Sequence, residues 1–395
     1  MIGGTARRSD PPGRSVQGVA GGLGLGLAAG WNVANTGAIA EVLDDAYGVR
    51  LSSVGLLTTA LFLTHLAAQV PGGRLVDRFG ARRLGVAALA VIIAGNALAA
   101  GDASFGLALA ARSLTGLGTG AAFVAGSDAV RAAAGSPTLQ GVFGGVSVGG
   151  GGLALALVPV LEHVLAWRAP YVSAIVLAAA VVPLLLAADA EPRTLRPQVA
   201  VRASVLRDRR LYRFALIHTA TFGVAVVLGN WVVSLLVDDG FSREAAGTVG
   251  GFLLLGGLAT RPLGGWLIRM YPAHTTALVA GSLAATALGV AALASGGPRA
   301  LVVAGSALAG LAAGIPFAAA FTGAQRARPD APAAAIGVVN GTATLAIVAG
   351  TPLLGLLFSI GEGGRLGFLT AAALILASAA VAARRAGDAP GEAAA

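Results

Sequence analysis

The sequence predicts an all-α membrane protein with twelve transmembrane helices in two six-helix pseudo-symmetric bundles. Three observations predict it. Of 395 residues, 56% are hydrophobic and only 11% charged. Soluble domains carry about 25% charged residues, so this exterior has to face hydrocarbon, which tolerates Ala, Leu, Val and Gly where water does not. The apolar residues gather in twelve runs, each close to the roughly 20 residues a helix needs to cross a bilayer. The 27 basic residues, all arginine, favour every second interval between the runs, which is the asymmetry that orients multi-span proteins.

Taken in order, the runs lie at residues 17–41, 53–73, 84–100, 105–127, 138–161 and 169–188. After a polar interval they resume at 211–236, 244–268, 275–294, 300–323, 333–359 and 365–383. Residues 1–16 read as a disordered cytoplasmic tail and 17–188 as the first six-helix bundle. Residues 189–210, with Pro192 and Pro197, read as a cytoplasmic linker, 211–385 as the second bundle and 386–395 as a disordered tail. The first apolar run extends beyond a signal-peptide core and lacks a cleavage site, so it is expected to stay attached as a span.

Placing both termini in the cytoplasm puts 20 arginines inside and five outside, with Arg112 and Arg261 left within spans. The outer intervals carry acids instead: Asp44, Asp45, Asp102, Asp238 and Asp239. The expected location is the cell (inner) membrane, multi-pass. The net charge of +9 is accounted for by topology and contact with the lipid bilayer rather than by nucleic acid. With no cysteine, disulfides and thiolate metal sites are excluded.

The halves repeat. A shift of 192 residues lays Gly72-Gly73 on Gly264-Gly265 and Gln69 on Arg261, and a shift of 194 lays Gly116, Gly120 and Phe123 on Gly310, Gly314 and Phe317. Between the second and third runs stands Gly72-Gly73-Arg74-Leu75-Val76-Asp77-Arg78-Phe79-Gly80-Ala81-Arg82-Arg83, with a weaker copy from Arg261 to Arg269. This segment resembles the loop between helices 2 and 3 of the major facilitator superfamily, whose members move small solutes. The resemblance covers residues 17–385 and implies parallel repeats about an axis normal to the membrane.

It further implies that Gly72, Gly73, Asp77, Arg78, Arg82, Arg83, Gly264 and Gly265 act in gating. Asp77 would face the positive N-terminal end of the eleventh helix, near Pro332 to Ala335, and hold the cytoplasmic side shut. Arg269 stands where Asp77 would repeat, so this latch is single-sided. The arginines enforce topology in any case.

Ionisable and amide groups inside spans are the candidate binding residues. Arg112 opens Arg112-Ser113-Leu114-Thr115-Gly116, which is similar to the superfamily's second motif on helix 4; the alternative is a structural arginine paired to a backbone carbonyl. Arg261 on the eighth run has Gln69 as its repeat partner, with His65 one turn earlier on the same face. The chain is distantly similar to the nitrate/nitrite porter branch, which clamps its anion with arginines on helices 2 and 8. It matches at Arg261 and departs at Gln69, and Asn340-Gly341 stands in the eleventh run.

Asn32, Asn35 and Thr36 share a face of the first run, and Asn230 and Trp231 answer on the seventh. They suit the orienting of a solute and equally suit interhelical hydrogen bonding.

No acid lies deep within any run, while two arginines do, which tilts the cargo towards an anion or organic acid. The expected function is a secondary carrier working by alternating access. A proton gradient is the default driving force, with Glu41, His65, His218 and Asp128 the titratable groups in or near spans. The partners expected are a small-molecule substrate and H+, with the chain a monomer and no cofactor. The competing readings are an efflux antiporter of the same superfamily and, more remotely, a membrane receptor or enzyme.

Overall fold

The computed structural model describes residues 12–188, 205–358, 360 and 362–384. Residues 1–11 of the expected N-terminal tail (1–16), residue 385, the expected C-terminal tail at 386–395 and most of the linker, 189–204, lie outside the described residues. The first six spans are α1 (Pro12–Ala34), α2 (Leu51–Phe79), α3 (Ala81–Gly101), α4 (Phe105–Ala134), α5 (Pro137–Leu165) and α6 (Ala169–Ala187). The second six are α7 (Arg209–Gly229), α8 (Arg243–Met270), α9 (Thr275–Leu293), α10 (Arg299–Ala327), α11 (Pro332–Phe358) and α12 (Gly363–Arg384).

Among the described residues, ten continuous runs are long and apolar enough to cross a membrane, and one of them, Pro137–Ala187, is 51 residues long and holds both α5 and α6. The remaining span, α1, is diluted by glycines and by Asn32. Its helix starts at Pro12, five residues ahead of the first apolar run. Leucines on the outward faces, such as Leu56, Leu63, Leu155, Leu288 and Leu374, are exposed, as an exterior bathed in hydrocarbon requires.

Two spans are broken in mid-course. In α7 a π turn at Thr219–Gly223 separates two α-helical stretches; such turns insert a residue and mark functional positions in helices. In α10 the helix stops at Gly314 and restarts at Phe317. Pro316 lacks the N–H that would continue the ladder.

The glycine pairs show how the repeat is used. Gly72 faces Ala121 of α4 and Gly264 faces Ile315 of α10, each within its own half. Gly73 and Gly265 instead face the other half: Gly73 lies on Ala333 and Ala334 at the start of α11, and Gly265 on Pro137 and Thr138 at the start of α5. A methyl group on Gly73 would sit 2.5 Å from Ala334 Cα, so the backbones meet only because that side chain is absent. The same symmetry carries to the middle of the molecule. Gly337 of α11 lies against the Gln69 carbonyl, and Gly141 of α5 against the Arg261 carbonyl. Gln69 and Arg261 are therefore equivalent positions at the two crossings between halves.

The end of the bundle that carries Arg74 to Arg83 is the arginine-rich end. There Arg328 grips Asp330 (2.6 Å) and reaches Asp208 (3.8 Å), which also pairs with Arg210 (2.8 Å). Hydrogen bonds from Arg210 hold the Asp208 carboxyl below its ordinary range. At the opposite end Arg365 pairs with Asp239 and donates to the Ala294 carbonyl (2.9 Å).

Candidate functional site

The candidate binding residues separate into three places. Arg112, Asn32 and Asn35 lie inside the first half. The Arg112 side chain is 0% exposed; it donates to the Asn32 carbonyl (2.6 Å) and to Asn35 Oδ1 (3.3 Å). Asn96 of α3 donates to Asn32 Oδ1 (2.9 Å), and Asn35 donates to the Pro170 carbonyl (2.8 Å). These bonds tie α1 to α3, α4 and α6. This arrangement matches the structural alternative for Arg112: the guanidinium meets a carbonyl and an amide, while its Nε is buried without a partner. Replacing it with Met should cost about 2–4 kcal/mol by stranding its buried partners, read as a lowered melting temperature with anion affinity retained.

Asn230 and Trp231 lie at the opposite end. Trp231 Nε1 donates to the Thr351 carbonyl (2.9 Å) and its ring stacks on Phe358 (5.3 Å). Asn230 is exposed and caps the Val226 carbonyl (2.9 Å). Twelve residues of helix, about 18 Å at 1.5 Å per residue, separate Asn230 from His218. In this state the pair fastens α7 to α11 rather than meeting Arg261.

The third place is a closed chamber between the halves, filled by its own side chains: Phe317 is 2% and Phe321 0% exposed. Arg261 is 7% exposed and donates from Nη1 to the Gly144 carbonyl of α5 (2.7 Å). Its guanidinium lies 4.7 Å from the Phe317 ring and 5.3 Å from the Phe222 ring, in the geometry of cation–π attraction. His218 stacks on Phe222 (5.2 Å), meets Phe321 edge-on (5.0 Å) and shares a hydrogen bond with Asn340 Oδ1 (3.2 Å). Phe317 and Phe321 stack at 4.2 Å, and Phe321 reaches across to Phe123 of α4 (6.0 Å). His65 adjoins Phe123 and bonds to Thr119 Oγ1 (3.0 Å).

Two properties of this chamber bear on what it could hold. Among the described residues, neither Arg261 nor Arg112 forms an ion pair with a carboxylate. And buried polar atoms in it stand without partners: Arg261 Nε, His218 Nδ1, and both amide atoms of Gln69, a residue that is 0% exposed. Buried polar groups are almost always paired, and a buried unpaired charge is costly. The arrangement suits a ligand that brings negative charge and an aromatic body. Among the described residues no group of three or more His, Asp or Glu gathers as metal ligands.

The residues expected to act in gating lie at the arginine-rich end. Asp77 accepts from the Ala333 N–H (3.0 Å) and the Ala334 N–H (2.9 Å) at the start of α11. Arg82 donates to the Ala188 carbonyl (3.0 Å) and Arg78 lies over the Phe79 ring (5.0 Å). Arg83 is exposed.

Sequence reasoning missed the aromatic walls Phe222 and Phe321, along with Asn96. A signal existed: His218 and Phe222, like Phe317 and Phe321, are spaced i, i+4, and Phe317 is the repeat partner of Phe123.

A sequence model described as Major Facilitator Superfamily matches residues 22–351. The chain is 26% identical over 298 residues to the 4-hydroxybenzoate transporter PcaK of Pseudomonas putida, covering 62% of this chain and 64% of that one. It is 25% identical over 282 residues to the 3-(3-hydroxy-phenyl)propionate transporter of Escherichia coli (strain K12), covering 69% and 70%. These matched relatives carry aromatic-acid names, not nitrate or nitrite. The fold superposes on the E. coli fucose:proton symporter FucP with a TM-score of 0.70 at 15% identity, covering 94% of this chain and 98% of that one.

Proposed function

Since the chain belongs to the major facilitator superfamily, we propose that it is a secondary carrier for a small aromatic carboxylate, working by alternating access between its two halves. One observation carries the reading: a guanidinium without a carboxylate partner, Arg261, buried between the halves and flanked by Phe222 and Phe317. A carboxylate meets a guanidinium with two parallel hydrogen bonds, and Arg261 Nε is open to supply one of them. When the halves part, a benzene ring carried by that carboxylate would meet the rings of Phe222, Phe317, Phe321 and Phe123 in edge or offset contact. The relatives' names supply the same class independently.

His218 is the proton site in this reading. Its Nδ1 is buried in the chamber without a partner, so a proton there adds a second donor for the carboxylate. The energetics favour such coupling. Driving a monoanion into a compartment held at −100 mV is opposed by about 2.3 kcal/mol, and a proton carried with it cancels the charge. With the arginine-rich end cytoplasmic, as arginine asymmetry dictates, the Asp77 contact closes the chamber on the inside.

The test is ligand-dependent thermal unfolding of the purified protein. Benzoate and 4-hydroxybenzoate are expected to stabilise, by about 2.7 kcal/mol at a hundredfold excess over Kd. Acetate, which lacks the ring, and benzyl alcohol, which lacks the charge, are expected to do little. Stabilisation by either of them equal to that by benzoate would refute recognition of an aromatic anion.

A further inference from the structure

At the arginine-rich end of the second half, α7, α8, α9 and α10 line a cavity of about 420 Å³, within the size range of small-molecule sites. Three guanidinium groups line it: Arg213 of α7, Arg269 of α8 and Arg326 of α10. No acid is among its lining residues. Nearby arginines at the same end are neutralised, Arg131 by Asp128, Arg210 by Asp208 and Arg328 by Asp330. Among the described residues the three cavity arginines have no such partner. Arg213 donates only to the Ala382 carbonyl (3.4 Å), and its buried Nε is unpaired.

The cavity carries further positive character. Thr275 and Thr276, the first residues of α9, line it. That helix has no acid in its first turn, so its dipole favours an anion, although the Thr275 N–H itself donates to the Pro272 carbonyl. The remaining wall is apolar, with Phe214, Ile217, Ile268 and Val279. Three like charges gathered without a counter-charge repel one another and attract an anion. An apolar wall beside them selects an anion with a hydrocarbon body over a bare inorganic ion.

We propose that this cavity is a second organic-anion site, holding a carboxylate on Arg213, Arg269 and Arg326 with its apolar body against Phe214, Ile217 and Val279. It sits on the same helices as the central chamber: Arg213 precedes His218 by five residues and Arg269 follows Arg261 by eight, about 8 and 12 Å along the helix axes. Solute accumulated on that side therefore occupies it next to the route of release. Pro137 of α5, from the other half, also lines the cavity, so an occupant there bridges the two halves that must part in the next cycle, which makes it a site of product inhibition. That its occupant is of the transported class rests on the proposed function; the site itself does not.

Photolabelling of the purified full-length protein with 4-azidobenzoate, with modified peptides located by mass spectrometry, tests the proposal. Label is expected at two places, the central chamber and the segments around Phe214 and Val279. Arg269 and Arg326 are exposed, so an Arg269→Gln/Arg326→Gln variant should fold. It is expected to lose at least tenfold of the second label and to keep the first. Absence of the second label, or its persistence in that variant, overturns the site. Absence of the first label with the second present would count against the central chamber alone.

Discussion

Arg261→Gln is expected to lower affinity for an aromatic carboxylate by roughly 30-fold to several thousand-fold, the largest effect of any single substitution in the chain. Removing one member of a buried charge pair costs about 2–5 kcal/mol, and each 1.4 kcal/mol is about tenfold in Kd. The free protein should behave oppositely. Without ligand, Arg261 is a buried charge with one hydrogen bond, to the Gly144 carbonyl, and an unpaired Nε. Relieving it should leave the melting temperature of the ligand-free protein unchanged or raised. An arginine serving only to anchor two helices gives the reverse pattern, with lower stability and unaltered binding. Isothermal titration and thermal unfolding on one preparation separate the two.

Asp77→Asn is expected to shift the halves apart at the arginine-rich end. The carboxylate accepts two backbone N–H groups at the start of α11, where a helix N-terminus adds its own attraction for negative charge. Hydrogen bonds to a charged group contribute about 1.5–3 kcal/mol. Losing the charge and one acceptor therefore moves a two-state equilibrium by roughly 10- to 100-fold. Gly73→Ala should act the same way by a different cause, since its methyl group meets the Ala334 backbone, which cannot turn aside as a flexible side chain would. The chain contains no cysteine, so spin labels at Leu75 and Pro329, both exposed, report only the chosen pair. A longer label separation in both variants is the expected result, and distance distributions matching the unaltered protein would remove Asp77 and Gly73 from gating.

The fold was legible because hydrocarbon imposes it. A bilayer demands apolar runs of fixed length, and arginine asymmetry follows from insertion, so both leave a mark in composition alone. The glycine pairs were legible as a repeat, though not in their division of labour; that Gly72 packs within its half and Gly73 across halves depends on which helix stands opposite. In the chamber, Arg261, Gln69, His65 and Asn340 stood out because polar groups are rare within spans. Phe222 and Phe321 did not, since an aromatic residue in an apolar run looks the same facing lipid or facing a ligand. Nor does hydropathy register the π turn beside His218 or reveal how the break at Pro316 aims Phe317. Asn32, Asn35 and Arg112 were singled out correctly as buried polar residues, but helical periodicity gives a face and not a neighbour. Their neighbours turn out to be one another.

The most direct measurement is uptake of radiolabelled 4-hydroxybenzoate into proteoliposomes containing the purified chain, with an imposed proton gradient. The account predicts uptake that depends on the protein, recovers the compound chemically unchanged, is competed by benzoate, and is lost in Arg261→Gln. Uptake equal to that of protein-free vesicles, or equal in Arg261→Gln, would contradict it.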